Sequence, residues 1–175
     1  MEIVKLVECA VSATGNSPRG SLISDGTYLY GLTTYGGAND EGAIFKVMPN
    51  GSGFTELHDF ALTSSGKAPH GALTLIGSTL YGLTVEGGAN DMGTLFKIET
   101  NGSAFTKLLD FSGASNGSQP FGSLFAIGSS LYGMTYDGGS FAAGNIFKYS
   151  GIPVAISEWI ENEDLNVYPN PSNGI

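Results

Sequence analysis

Basic residues are scarce in this chain. Seven Lys and Arg face sixteen Asp and Glu, a formal net charge of −9. Nucleic-acid recognition needs a basic stripe, and none is present, so no nucleic-acid partner is expected. The same deficit argues against attraction to an anionic membrane surface. Cys9 is the only cysteine. An internal disulfide is therefore impossible, and a cysteine-built zinc centre is not indicated. No apolar run approaches the roughly 18 residues that a spanning helix needs, so no membrane span is expected. The opening Met1-Glu2-Ile3-Val4-Lys5 lacks a basic region followed by a long apolar one, so no signal peptide is expected in this chain. A helical period of 3.6 is missing throughout the repeated region. Glycine is what the chain has in excess: 27 of its 175 residues, about twice the usual share.

An internal repeat organises the sequence. Residues 20–70 align without a gap on 71–121, and more than half of the paired positions are identical. Residues 122–148 continue the series. Gly20, Gly71 and Gly122 align, as do Tyr30, Tyr81 and Tyr132, and Phe45, Phe96 and Phe147. Before the first unit, Leu6-Val7-Glu8 aligns with Leu57-His58-Asp59. The chain thus opens near the end of one unit and runs through three further starts.

Each unit reads as four short strands. In the first, Ser21–Ser24 is closed by Asp25-Gly26, a hairpin pair. Thr27–Thr33 follows, with Tyr28, Tyr30 and Leu32 on one face and Leu29 and Gly31 on the other. Gly36-Gly37-Ala38-Asn39-Asp40 is a loop, Ala43–Met48 a third strand, Pro49-Asn50-Gly51-Ser52-Gly53 a turn, and Phe54–Phe60 a fourth strand. Gly31, Gly82 and Gly133 lie inside a strand, where a side chain would collide with a neighbouring sheet or backbone. The expected fold is all-β: a β-propeller-like array of four-stranded blades of the kelch size, over residues 1–150 with unit starts at 20, 71 and 122. An open stack of β-units is the alternative. Three units are too few to close a ring, so the expectation is an incomplete ring, or two copies that complete one. Ile3–Glu8 reads as a fourth strand without a blade of its own. Val154–Trp159 is a second candidate for the last unit's fourth strand. Residues 151–165 read as an acidic linker.

No recurring catalytic set is visible. His58 and His70 align with Leu109 and Phe121, so neither belongs to a repeated site; packing roles are expected for both. Cys9 aligns with Phe60 and Phe111 and is expected to fill an apolar slot. Glu8, Asp59 and Asp110 share one position. They are either a row of carboxylates available to a cation or to glycoside chemistry, or residues satisfied by turn backbone or a lysine. Lys46, Lys97 and Lys148 also recur. Pairing Lys46 with Glu56 would set Lys97 opposite Lys107, so Asp59 and Asp110 are the expected partners. Asn39, Asp40, Asn90 and Asp91 offer oxygen ligands to calcium, or serve their turns locally. The sequons at Asn50 and Asn101 read as hairpin turns. Aromatic rings beside polar groups suit sugar binding. Tyr35, Tyr136 and Trp159 are the candidates, whereas Tyr30, Tyr81 and Tyr132 belong in the core.

Leu80-Tyr81-Gly82-Leu83-Thr84, Gly87-Gly88 and Gly93-Thr94-Leu95-Phe96-Lys97 carry a resemblance that recurs in all three units. The pattern resembles the Gloeo/Verruco-type tandem repeat, also called the GloVer repeat, over most of residues 20–148. That resemblance implies a propeller-like, secreted or surface-anchored bacterial protein with no established activity. The tail Val167-Tyr168-Pro169-Asn170-Pro171-Ser172-Asn173-Gly174 resembles the opening of the C-terminal sorting domain read by the type IX secretion system of Bacteroidetes. Such a domain runs for several dozen residues, and the match here covers 166–175. It implies the type IX secretion machinery as partner and a secreted or outer-membrane surface location. The leading functional expectation is a non-catalytic module binding glycan or a surface protein. A polysaccharide lyase or hydrolase on a propeller scaffold, and a structural adhesin or spacer, are the alternatives.

Overall fold

The computed structural model describes residues 3–9 and 14–153. Val154–Trp159, the acidic linker and the tail motif lie outside the described residues. Eleven strands form three antiparallel sheets, and no helix occurs among the described residues. No helix long and apolar enough to cross a membrane is therefore among them.

Sheet 1 contains β1 (Asn16–Ser24), β2 (Leu29–Tyr35), β3 (Ala43–Val47) and β4 (Thr55–Asp59), each paired with the next. Sheet 2 repeats this with β5 (Thr74–Ile76), β6 (Thr79–Thr84), β7 (Thr94–Glu99) and β8 (Thr106–Asp110). Sheet 3 contains β9 (Phe125–Ile127), β10 (Ser130–Thr135) and β11 (Asn145–Ser150). Four strands were expected there, and three are present among the described residues. The third unit also extends past its last strand. The Gly151 and Ile152 N–H groups both donate to the Ser129 carbonyl, and the Ile152 side chain is buried.

Turn chemistry sets the hairpins. Asp25 Oδ1 accepts the N–H groups of Thr27 and Tyr28, each at 2.8 Å, and Oδ2 accepts the Tyr30 hydroxyl at 2.7 Å. Those bonds hold the Asp25 carboxyl below its ordinary range. Asn50 Oδ1 and Asn101 Oδ1 accept the N–H groups of Ser52 and Ser103 and close the two later turns. Both four-stranded sheets carry the same bulge. Leu57 is the extra residue between the pairs Ile44↔His58 and Phe45↔Glu56, and Leu108 between Leu95↔Leu109 and Phe96↔Lys107.

The sheets stack face to face. Tyr30, Leu32, Ile44 and Phe60 of sheet 1 meet Leu73, Leu80, Phe96 and Ile98 of sheet 2. Tyr81, Leu83, Leu95 and Phe111 then meet Leu124, Leu131, Phe147 and Tyr149. At each of these two junctions the exit face of one sheet packs on the entry face of the next. Burying such faces is what makes single units interdependent.

The in-strand glycines serve this packing within their own sheet. Gly82 pairs with Phe96 across the ladder, and a Cβ at Gly82 would strike that ring and Leu73. The collision expected with a neighbouring sheet is instead with a ring folded over the glycine from the next strand. Gly133 under Phe147 and Gly31 under Phe45 repeat the arrangement.

Candidate functional site

Arg19, His70 and Phe121 occupy one position in the 51-residue period: Arg19 on β1, and His70 and Phe121 in the segments that lead into β5 and β9. Each precedes a glycine at which neighbouring sheets touch backbone to backbone. A Cβ on Gly20 would lie 2.6 Å from the Gly71 carbonyl oxygen, and one on Gly71 would strike the Gly122 carbonyl. The contact is stitched by the Ala72 N–H to Ser123 Oγ (2.8 Å) and by Thr74 Oγ1 to the Leu124 carbonyl (2.7 Å). The preceding side chains are thereby aligned in a row. Arg19 Nη1 donates to His70 Nδ1 at 3.4 Å. The His70 ring meets Phe121 at 5.0 Å. Phe121 in turn meets Tyr136 edge-on, at 5.7 Å and 86°. Burial, and then the Arg19 charge, lower the His70 pKa, so His70 is a neutral acceptor at neutral pH. Phe121 and Tyr136 are 43% and 73% exposed. The row thus offers one cation, one neutral imidazole and two accessible rings.

Of the sequence candidates, the structure brings only Tyr136 into this row. Tyr35 is exposed at the same end of its own sheet, in register with Asn16. Trp159 and the tail residues Val167, Tyr168, Pro169, Asn170, Pro171 and Gly174 lie outside the described residues. His70, aligned with Phe121, reads in the sequence as a packing residue, and Arg19 is not singled out, because the residue type at this position changes between units. The usable signal was their shared spacing.

The acidic and amide loop residues brace their own loops. Asp40 Oδ1 accepts the Gly36 N–H and Asp91 Oδ1 the Gly87 N–H, each at 2.9 Å. The side-chain amides of Asn39 and Asn90 donate to the Phe60 and Phe111 carbonyls. Asp59 and Asp110 accept the Ala38 and Ala89 N–H groups from the same loops. Each of the six side chains thus bonds a backbone group of the loop or of the strand end beside it. Among the described residues, no three His, Cys, Asp or Glu side chains gather as a metal site.

The lysine partners differ from expectation. Lys107 pairs with Asp110 at 2.9 Å, while Lys46 reaches the Thr100 carbonyl and lies over the Tyr28 ring at 4.7 Å. Lys46 faces Thr55 across the ladder, and its stem crosses toward sheet 2. In sheet 1 the place of Lys107 is held by Glu56. Burial, the Asp59 hydrogen bond and the Asp59 charge push its carboxyl up to about 7. His58 packs as expected. It stacks on Phe105 at 3.7 Å and 6°, and its buried Nε2 has no hydrogen-bond partner. Cys9 departs from expectation. It is exposed and borders a groove of about 410 Å³ on the entry face of sheet 1. Phe60 and Phe111, its equivalents, are each buried between their own sheet and the one that follows. Cys9 is joined to no such sheet.

A family model for the Gloeobacter/Verrucomicrobia repeat matches residues 2–157. This chain belongs to that family of all-β tandem-repeat proteins. No curated protein matches the sequence.

Proposed function

We propose that the chain is a non-catalytic, secreted or cell-surface module that binds glycan along the Arg19–His70–Phe121–Tyr136 row. The supporting observation is the row itself. It places exposed rings beside a guanidinium and an imidazole, the pairing that stacks on a sugar face while bonding its hydroxyls or an acidic group. On this reading the three sheets are blades of a kelch-like, propeller-like array. The line of close contacts at Gly20, Gly71 and Gly122 supports that view, since one edge of every sheet converges there. Export by the type IX machinery follows from the resemblance of residues 166–175 to its sorting signal.

The test is a glycan array carrying neutral and uronic-acid polysaccharides, followed by titration of any hit. Tyr136→Ala and Arg19→Ala are expected to weaken binding about tenfold each, roughly 1.4 kcal/mol, with the melting temperature unchanged. Binding by the intact chain to no polysaccharide on the array would refute the reading. So would a hit whose affinity ignores both substitutions.

A further inference from the structure

Contacts between one sheet and the next recur at a 51-residue step, so the contacts that sheet 3 would make with a following sheet can be stated residue by residue. The exit-face residues Leu32 and Ile44 are 2% and 0% exposed, and Leu83 and Leu95 are 2% and 0%. Their equivalents on sheet 3, Met134 and Ile146, are 61% and 83% exposed. Phe125 and Ile127 extend this apolar face, at 67% and 57%. Contiguous exposure of this kind marks an interaction surface.

Sheet 1 offers the matching half. Leu22, Leu29, Phe45 and Val47 stand where sheet 2 has Leu73, Leu80, Phe96 and Ile98, the residues that receive a predecessor. They line the groove of about 410 Å³.

The backbone seams agree. The Ala68 N–H donates to the Glu41 carbonyl (2.9 Å) and the Gln119 N–H to the Met92 carbonyl (3.0 Å). The next step in this series joins the Ser17 N–H to the Ala143 carbonyl. Ser17 already holds the left-handed conformation of the other two, with φ of 53° against 52° and 53°. Pro69 lies 2.8 Å from a Cβ position at Gly42, and Pro120 lies 2.9 Å from one at Gly93. The third member of that series pairs Pro18 with Gly144. A Cβ on Gly20 or Gly71 would strike the next sheet, whereas one on Gly122 would meet nothing within 4 Å.

Ile3–Cys9 completes the match. The Leu6 carbonyl is 2.7 Å from a Cβ position at Gly51, much as Leu57 borders Gly102 at 3.3 Å. The segment therefore lies where the last strand of a preceding sheet would lie, although no strand ladder forms along it.

We propose that the exit face of sheet 3 docks head to tail on the entry face of sheet 1 of a second copy of this chain. Ile3–Cys9 of that second copy lies along β11, with Val7 opposite Ile146 and Glu8 opposite Asn145. The row then continues across the seam, with Arg19 of the second copy reaching Phe121. This is a heterologous interface, whose two halves differ, and complementation reveals such an interface.

Sedimentation at about 100 µM, a concentration that populates any interface tighter than that, is expected to give at least twice the 18.1 kDa monomer mass. Ile146→Lys on the exit face and Leu22→Lys on the entry face should each reduce the protein to monomer with unchanged far-UV circular dichroism. Gly122→Val serves as a second exit-face variant, because its side chain enters space that the single chain leaves empty. Mixing Ile146→Lys with Leu22→Lys leaves one intact seam and should restore the mass of two copies. A wild-type monomer at this concentration overturns the proposal. So does association that survives both lysines, or two monomeric variants that fail to combine.

Discussion

Alanine at Gly82 and at Gly31 makes a matched pair of perturbations. Both glycines sit mid-strand under a phenylalanine ring from the next strand. At Gly82 the Phe96 ring is fully buried between sheets 1 and 2 and touches Phe60 and Phe105 at 5.2 and 5.6 Å. It has nowhere to move. Overpacking of such a core costs about 1–3 kcal/mol, while the entropy gained by replacing strand glycine returns about 0.5–1 kcal/mol. The net loss for Gly82→Ala is about 1–2 kcal/mol, roughly 3–6 °C in melting temperature at this chain length. At Gly31 the added methyl would meet Phe45 Cζ at 2.6 Å and Leu22 Cδ2 at 2.8 Å. Those two side chains border the groove, and Leu22 is 55% exposed. Leu22 can swing outward, and the Phe45 ring, 8% exposed, has the groove beside it, so Gly31→Ala should cost about 1 kcal/mol less than Gly82→Ala. Melts of the three proteins, run dilute enough to be monomeric, provide the comparison. Equal losses at the two glycines would refute the reasoning, because they would mean that sheet 1's entry face is as tightly closed as the interior.

Three further outcomes follow from the ionisable groups and the first turn. His58 has its pKa lowered from 6.5, chiefly by burial and against the Asp59 charge. Its contribution to stability is therefore present above pH 6.5 and lost as pH falls below it. His58→Leu, the residue that sheet 2 carries at Leu109, should remove that loss in melts between pH 5 and 7. Glu56 runs the other way. Its folded pKa of about 7 exceeds its ordinary 4.5, so its contribution is full below 4.5 and lost as pH rises through 7; Glu56→Gln should flatten that decline over the same range. Asp25→Ala removes the carboxylate that accepts the Tyr30 hydroxyl, whose residue is 1% exposed, and should cost about 1–3 kcal/mol in a chemical melt.

The strand plan was legible in the sequence because burial and pairing within a sheet are local. Asp25-Gly26 and Asn50-Gly51 mark turns through their own side chains, and Tyr30, Leu32 and Ile44 lie at the period that places them on one face. Contacts between sheets were less legible. They join a residue to one about 51 positions on, and stacking geometry decides which atoms meet. Lys46 was matched to a carboxylate, yet its stem crosses to a carbonyl on the next sheet. Cys9 was given the buried slot of Phe60, but a slot is buried only when sheets lie on both sides of it. The row at Arg19, His70 and Phe121 is hidden in the sequence by its changing residue types. Those changes are compatible with a surface whose parts do different things.

Identical ladders have a consequence for how the chain finds its fold. β4 meets β3 with the same register and the same bulge that β8 uses on β7. A nascent chain therefore holds two nearly interchangeable partners for each third strand, and a swapped pairing would satisfy the same backbone bonds. Misassembly of this kind is the characteristic error of repeat proteins. The short hairpin connections oppose it, and so do positions where the units differ. Lys107 answers Asp110 in one sheet where Glu56 shares a proton with Asp59 in the other, so these few unlike residues help keep the units in order as the chain folds.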